Sequence, residues 1–186
     1  MSTYTINVSF QTRVNKTTRT LEIAESFGLG LDEKDWTLYD NLELEVEQGD
    51  VVYITGQSGS GKSVVLRELQ RQMKDEGLSV ASIDDFTFDN DVNVIDQLGK
   101  TTSEALGLLS TAGLNDAYLF VRKPSEMSDG QKYRLKIAKL IESGAKVWAA
   151  DEFGAVLDRV TAQVVASNLQ RAARKVGATV MVATTH

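Results

Sequence analysis

Gly56-Gln57-Ser58-Gly59-Ser60-Gly61-Lys62-Ser63 has the form G-x-x-x-x-G-K-[ST], and the chain on either side of it fits that pattern. The run before it, Val51 to Thr55, is apolar and predicts a buried strand. The run after it, Lys62 to about Glu76, has helical spacing. Strand, glycine-rich loop, helix is the context in which this pattern binds phosphate. The glycines let the backbone bend into a nest whose N–H groups point inward. The helix start adds unpaired N–H donors and the positive end of a dipole. The expected nucleotide-binding set here is Gly56, Gln57, Ser58, Gly59, Ser60, Gly61, Lys62, Ser63 and Val64. Lys62 would reach the β- and γ-phosphates, and the Ser63 hydroxyl would ligate Mg²⁺. A merely flexible Gly/Ser loop is the alternative. It explains neither the Lys-Ser ending nor the two flanking elements.

The 186 residues suffice for one domain with a core, and 42% hydrophobic with 25% charged residues is ordinary for a globular protein. A formal net charge of -6 argues against a bulk electrostatic grip on nucleic acid. The absence of cysteine excludes disulfides and thiolate zinc sites, and fits a reducing, cytoplasmic setting. No signal-peptide pattern follows Met1, and no apolar run is long enough to span a bilayer. A membrane would be served only as a peripheral subunit.

Tyr4, Ile6, Val8 and Phe10 alternate with polar residues, which predicts a half-buried strand. Thr18 to Ala24, with Leu21 and Ile23, reads as its antiparallel partner, and residues 25 to 36 read as an irregular connection. Leu42, Leu44 and Val46 alternate with glutamates as a further strand. After the loop, Val65, Leu66, Leu69 and Met73 form the apolar face of the helix. Leu78 to Ile83 reads as a strand. Residues 94 to 113 read as one or two short helices broken at Gly99 and Gly107. Gln131 to Ser143 is helical by spacing, and Val147 to Ala150 is an apolar strand. Leu157 to Val176 reads as a long helix with Val160, Val164, Leu169, Ala172 and Val176 on one face, and Ala178 to Ala183 as a last strand. Strands alternating with helices predict an α/β fold with a parallel sheet.

Three further stretches bear chemistry. Val147 to Ala150 delivers Asp151 and Glu152 at a strand's carboxyl end, where open α/β sheets place ligands. Asp151 can hold the hydration shell of Mg²⁺, and Glu152 can accept a proton from, or orient, an attacking water. Met127-Ser128-Asp129-Gly130-Gln131 opens a helix, where Ser128 and the first N–H groups make an anion site; alone, such a run is most often a helix cap. Thr184-Thr185-His186 follows the last apolar strand with the only histidine.

In that order and spacing, these motifs resemble the ATP-binding-cassette (ABC) ATPase family over roughly residues 18 to 186. The resemblance implies a P-loop NTPase core with a parallel sheet, an N-terminal antiparallel β subdomain and a short helical insertion. It divides a single domain of residues 1–186 into an antiparallel part (about 1–50), a core (51–83 and 145–186) and a helical part (about 92–143) carrying the signature. It implies ATP and Mg²⁺ as ligands, with Glu152, His186 and Lys62 catalytic and Ser63 and Asp151 at the metal. Ser128, Gly130 and Gln131 stand in the family's Leu-Ser-Gly-Gly-Gln signature, which faces the γ-phosphate held by the other protomer of a head-to-tail dimer. Gly154 to Asp158 resembles the D-loop, and Phe27 sits where an aromatic stacks on adenine, with Trp36 and Tyr39 as rivals.

The departures carry expectations too. Asp84 and Asp85 stand where the family's Q-loop glutamine belongs, and Gln97 falls in the following helix. Asp129 replaces the first signature glycine. The family continues past its histidine, so the native polypeptide is expected to run on beyond His186. The leading reading is a soluble, non-transporter ATPase that forms a homodimer on binding ATP, with a covalently linked or separate partner domain such as an acetyltransferase. The alternatives are an ATP-gated interaction module with little hydrolysis, or the ATP-binding subunit of a membrane transporter.

Overall fold

The computed structural model describes residues 2–185; His186 lies outside the described residues. The chain forms two compact units, one spanning Thr3–Glu45 and the other running from Val46 onward.

In the N-terminal unit, β1 (Ser2–Thr12) pairs with β2 (Lys34–Val46) in a two-stranded sheet. The pairing is antiparallel: Ser9 Oγ meets Thr37 Oγ1 at 3.2 Å, Phe10 stacks on Trp36, and the Thr12 hydroxyl donates to the Lys34 carbonyl. The expected two-stranded unit exists, but its partner strand is β2. Residues 18 to 24 are instead part of a helix, α1 (Thr18–Phe27). Thr17 and Thr20 close a reciprocal capping box at its start, and Gly28 ends it in the left-handed region at φ 62°. Those caps outweigh the brief Leu21/Ile23 alternation, and both of these side chains are exposed.

The larger unit is built on a four-stranded sheet in the order β3-β6-β5-β4. Its strands are β3 (Val51–Thr55), β4 (Val80–Ser82), β5 (Val147–Ala150) and β6 (Thr179–Thr184), all parallel. The register sets Thr55 beside Thr184 and Ala150 beside Val182, so the loops after β3, β5 and β6 emerge from one edge. Every residue of β5 and β6 is buried, as a parallel sheet covered on both faces requires. Trp148 is fully buried in β5, and its indole N–H lacks an acceptor.

The helix after the loop, α2 (Lys62–Asp75), buries Val65, Leu66, Leu69 and Met73 as its spacing demands. The expected strand at 78–83 shrinks to β4, because Ser82 caps a short 3-10 turn over Ile83–Asp85. The helical part has a 3-10 turn at Val94–Gln97, α3 (Thr102–Thr111) and α4 (Ala117–Phe120). Gly99 is a break as expected, but Gly107 lies inside α3. Next comes α5 (Asp129–Glu142), which buries Leu135, Ile137, Ala138 and Leu140. The last helix is α6 (Arg159–Val176). Its buried face is Val165, Leu169 and Ala173; of the expected stripe Leu169 is buried and Ala172 packs against the core, but Val160, Val164 and Val176 are each more than half exposed.

Candidate functional site

The loop between β3 and α2 is curled around its own lysine. Lys62 Nζ donates to the Gly56 carbonyl at 2.8 Å and to the Gln57 carbonyl at 2.7 Å. An ammonium has three N–H donors, so one is left for a ligand. At Gly56 a side chain is disfavoured by the positive φ of 152°, and its Cβ would stand 2.9 Å from Ser60 Oγ, which would have to move. Gly61 caps α2 at φ 87° with no side chain closing the helix end. Within the loop, Ser60 N–H donates to the Gln57 carbonyl and Val64 N–H to the Gly61 carbonyl. The Val64 amide thus closes the first turn of α2 at 3.0 Å. Glycine-rich backbone, uncapped helix start and a tethered cation suit a phosphate group.

Two strands along the sheet, roughly 10 Å away at the usual strand spacing, β5 ends in Asp151 and Glu152. Asp151 Oδ1 accepts the Glu152 N–H at 2.9 Å. Glu152 itself takes left-handed backbone, φ 48°, which costs a residue with a Cβ about 1–2 kcal/mol. The turn is pinned to β6: Phe153 N–H donates to the Ala183 carbonyl at 2.8 Å, and the Thr184 hydroxyl donates to the Phe153 carbonyl at 3.2 Å. A cleft of about 490 Å³ opens here, lined by Gln57 and Ser58 from the loop, Glu152, Phe153 and Ala155 from the turn, and Thr184 and Thr185 from the end of β6. The fold thus brings Glu152 to the glycine-rich loop, from which it is far removed along the chain. Ser63 and Asp151 offer hard oxygen donors of the kind Mg²⁺ takes. Among the described residues no group of three or more acidic or histidine side chains forms a metal cluster. His186, expected beside this cleft, lies outside the described residues.

The signature segment folds as a cap. Ser128 accepts the Gln131 N–H, and Gln131 Oε1 accepts the Ser128 N–H at 2.9 Å. Asp129 sits exposed in the first turn, where a carboxylate favours the helix dipole. Gly130 is apposed to the turn after β5: a Cβ there would meet the Val156 carbonyl oxygen and Leu157 Cδ2 at 3.4 Å. Asp158 caps α6 by accepting from Thr161, and those bonds hold its carboxyl below the usual range. Gln97 is committed elsewhere, since its amide group bonds the Asp89 N–H and the Asp89 and Val92 carbonyls. At the expected glutamine position, Asp85 instead caps its own 3-10 turn by accepting the Ser82 N–H.

Phe27 ends α1 in the N-terminal unit and is 71% exposed, whereas Trp36 is stacked on Phe10. Sequence reasoning missed Tyr133. Its hydroxyl accepts the Gly154 N–H at 3.1 Å, and its ring meets Phe153 edge-on. Burial, opposed by the Gly154 bond and aided by the nearby Asp84 charge, pushes the phenol up to about 12. Only its place two positions after Gln131 could have drawn notice.

The profile of the family described as "ABC transporter" matches residues 39–155. The methionine import ATP-binding protein MetN 2 of Oceanobacillus iheyensis is 27% identical, over 83% of this chain and 54% of that protein. The leukotoxin translocation ATP-binding protein LktB of Mannheimia haemolytica is 27% identical, over 73% of this chain and 24% of its own length. The chain thus spans about half the length of the methionine-import relatives it matches. Among solved structures, the dimeric post-hydrolysis state of the ATP-binding cassette MJ0796 bound to ADP and Pi superposes at a TM-score of 0.69. That match covers 100% of this chain and 88% of the other at 18% identity, which speaks to the fold.

Proposed function

The chain belongs to the ABC transporter family, and from that premise we propose that it binds Mg-ATP in the Gly56–Val64 cradle and hydrolyses it as a two-fold dimer. The observation that carries this reading is the shared cleft: Glu152 opens onto the same space as Gln57 and Ser58. In it the loop amides and the third N–H of Lys62 hold the β- and γ-phosphates. Glu152 orients the attacking water and takes its proton as the bond from the γ-phosphorus to the bridging oxygen breaks. Ser63 and Asp151 would hold Mg²⁺, which would supply neutralisation of phosphate charge. A two-fold axis makes the contact reciprocal, so Ser128, Gly130 and Gln131 of one copy face the triphosphate of the other. His186 is assigned to the γ-phosphate and Phe27 to the adenine by their places in the motif series.

Glu152→Gln should lower phosphate release at least about 100-fold while leaving ATP affinity within about twofold. Unchanged release from purified protein would refute the catalytic assignment. Lys62→Ala should abolish nucleotide binding, read with a fluorescent ATP analogue.

As to the load this cycle drives, the relatives' own roles, methionine import and leukotoxin translocation, support an energising subunit of a transport assembly. They lend nothing to a soluble non-transporter. No helix among the described residues is long and apolar enough to cross a membrane. One observation favours the second reading, an ATPase serving another domain: Asp84 and Asp85 replace the glutamine through which family transporters meet their membrane partner. Co-purification of the native full-length protein with a membrane fraction, lost on carbonate washing, separates the two.

A further inference from the structure

Most bonds that hold the Glu152 turn come from the turn and its own strands. Asp151 Oδ1 takes the Glu152 N–H, Ala155 N–H returns to the Glu152 carbonyl, and Phe153 and Thr184 tie the turn to β6. Among the described residues, one bond reaches it from a helix. Gly154 N–H donates to the hydroxyl oxygen of Tyr133, on α5, at 3.1 Å. The Tyr133 ring meets Phe153 at 6.2 Å between centroids and 68° between planes. Three residues earlier, on the same helix face, Gly130 faces Val156 and Leu157, where an added Cβ would make ordinary contact at 3.4 Å. The helix led by Ser128 thus holds the turn through Tyr133, by its hydroxyl on Gly154 and its ring on Phe153. The polar grip lies two residues from Glu152, whose left-handed backbone persists only where its surroundings over-determine it.

Building on the hydrolytic reading above, we infer that Tyr133 is a positioning residue: by accepting the Gly154 N–H, its hydroxyl couples the orientation of the Ser128-led helix to the Glu152 carboxylate of the same protomer. The end of α5 faces a triphosphate held by the second copy. A tilt of α5 on meeting that phosphate therefore reaches the base of its own site through a single hydrogen bond. The ring alone does not suffice. Phenylalanine would keep the edge contact with Phe153 but leave the part-buried Gly154 N–H without its acceptor. The hydroxyl is not itself an acid or base here. Burial and the Asp84 charge keep it protonated throughout the neutral range.

Tyr133→Phe, checked for folding by its urea midpoint, is the test. Turnover should fall about tenfold, the worth of one lost hydrogen bond. KM and the affinity for a fluorescent ATP analogue should stay within about twofold. Amide hydrogens of the 151–157 peptide should exchange about fivefold faster or more, while the middle of α5 keeps its protection. Unaltered exchange at 151–157, or faster exchange with unaltered turnover, would overturn the inference; so would loss of ATP affinity in step with turnover, which marks a binding role. If the wild type releases no phosphate, the hydrolytic reading fails on its own. The coupling is then read from exchange alone: Mg-ATP should slow the 151–157 peptide in the wild type and not in Tyr133→Phe, and equal slowing in both refutes it.

Discussion

At the scale of single residues, Asp129 shows two demands on one position in conflict. A carboxylate in the first turn of α5 suits the helix dipole and the cap that Ser128 and Gln131 build. The same charge stands where a triphosphate held by a second copy would approach, and like charges repel there. Asp129→Gly should therefore lower the ATP concentration needed for dimerisation by about three- to tenfold. Sedimentation in a Glu152→Gln background reads this directly, and no gain would show that the charge is harmless. The loop residues were legible because their types are dictated by local geometry: glycine where a Cβ collides, lysine where a cation must fold back. Tyr133 was not legible, because its role exists only once Gly154 has been folded against it.

Among the elements, legibility follows the number of independent signals. The helix α2 had an apolar ladder, a glycine start and a polar outer face, and all three agree with the structure. At α1 a two-residue alternation was set against a Thr17/Thr20 capping box and a Gly28 stop, and the caps decided the outcome. In α6 the adjacent Val164 and Val165 offered two stripes. The one ending in the small Ala173 is buried, whereas the valines of the other, Val160, Val164 and Val176, face outward. Pairing position by position cannot choose between two such stripes without knowing how closely the sheet approaches. Gly99 is the most constrained joint of the helical part. Its φ is +65°, a Cβ there would lie 2.7 Å from the Ala105 backbone nitrogen, and its N–H donates to Glu142 Oε1 at 2.7 Å. Gly99→Ala should thus destabilise the protein by more than about 2 kcal/mol, since backbone of α3 must shift. A thermal melt against the wild type measures it.

For the whole molecule, the class was readable, since alternating strands and helices leave few choices, but the strand order was not. Nothing local in Thr179–Thr184 says that it inserts between β3 and β5; that follows only from packing four strands into one sheet. Global stability also carries a signature of Tyr133. Its phenol titrates near 12 when folded and about 10 when unfolded. Below about pH 10 both states hold the proton and this contribution is fully present. Above that the unfolded chain ionises first, and about 2–3 kcal/mol is lost by pH 12. Urea denaturation at rising alkaline pH should show a shallower decline for Tyr133→Phe than for the wild type. The insertion of β6 also bears on biosynthesis. The strand that delivers the glycine-rich loop finds its sheet partner only across a span of the order of the Gly49–Thr179 contact, 130 residues. Closing so large a loop is slow, and a chain growing from the ribosome keeps β3 unpaired until its distant mate has cleared the exit tunnel. The cradle is thus completed only after β6 has emerged, and until then a nascent chain lacks the finished sheet edge from which the loop would grasp a nucleotide.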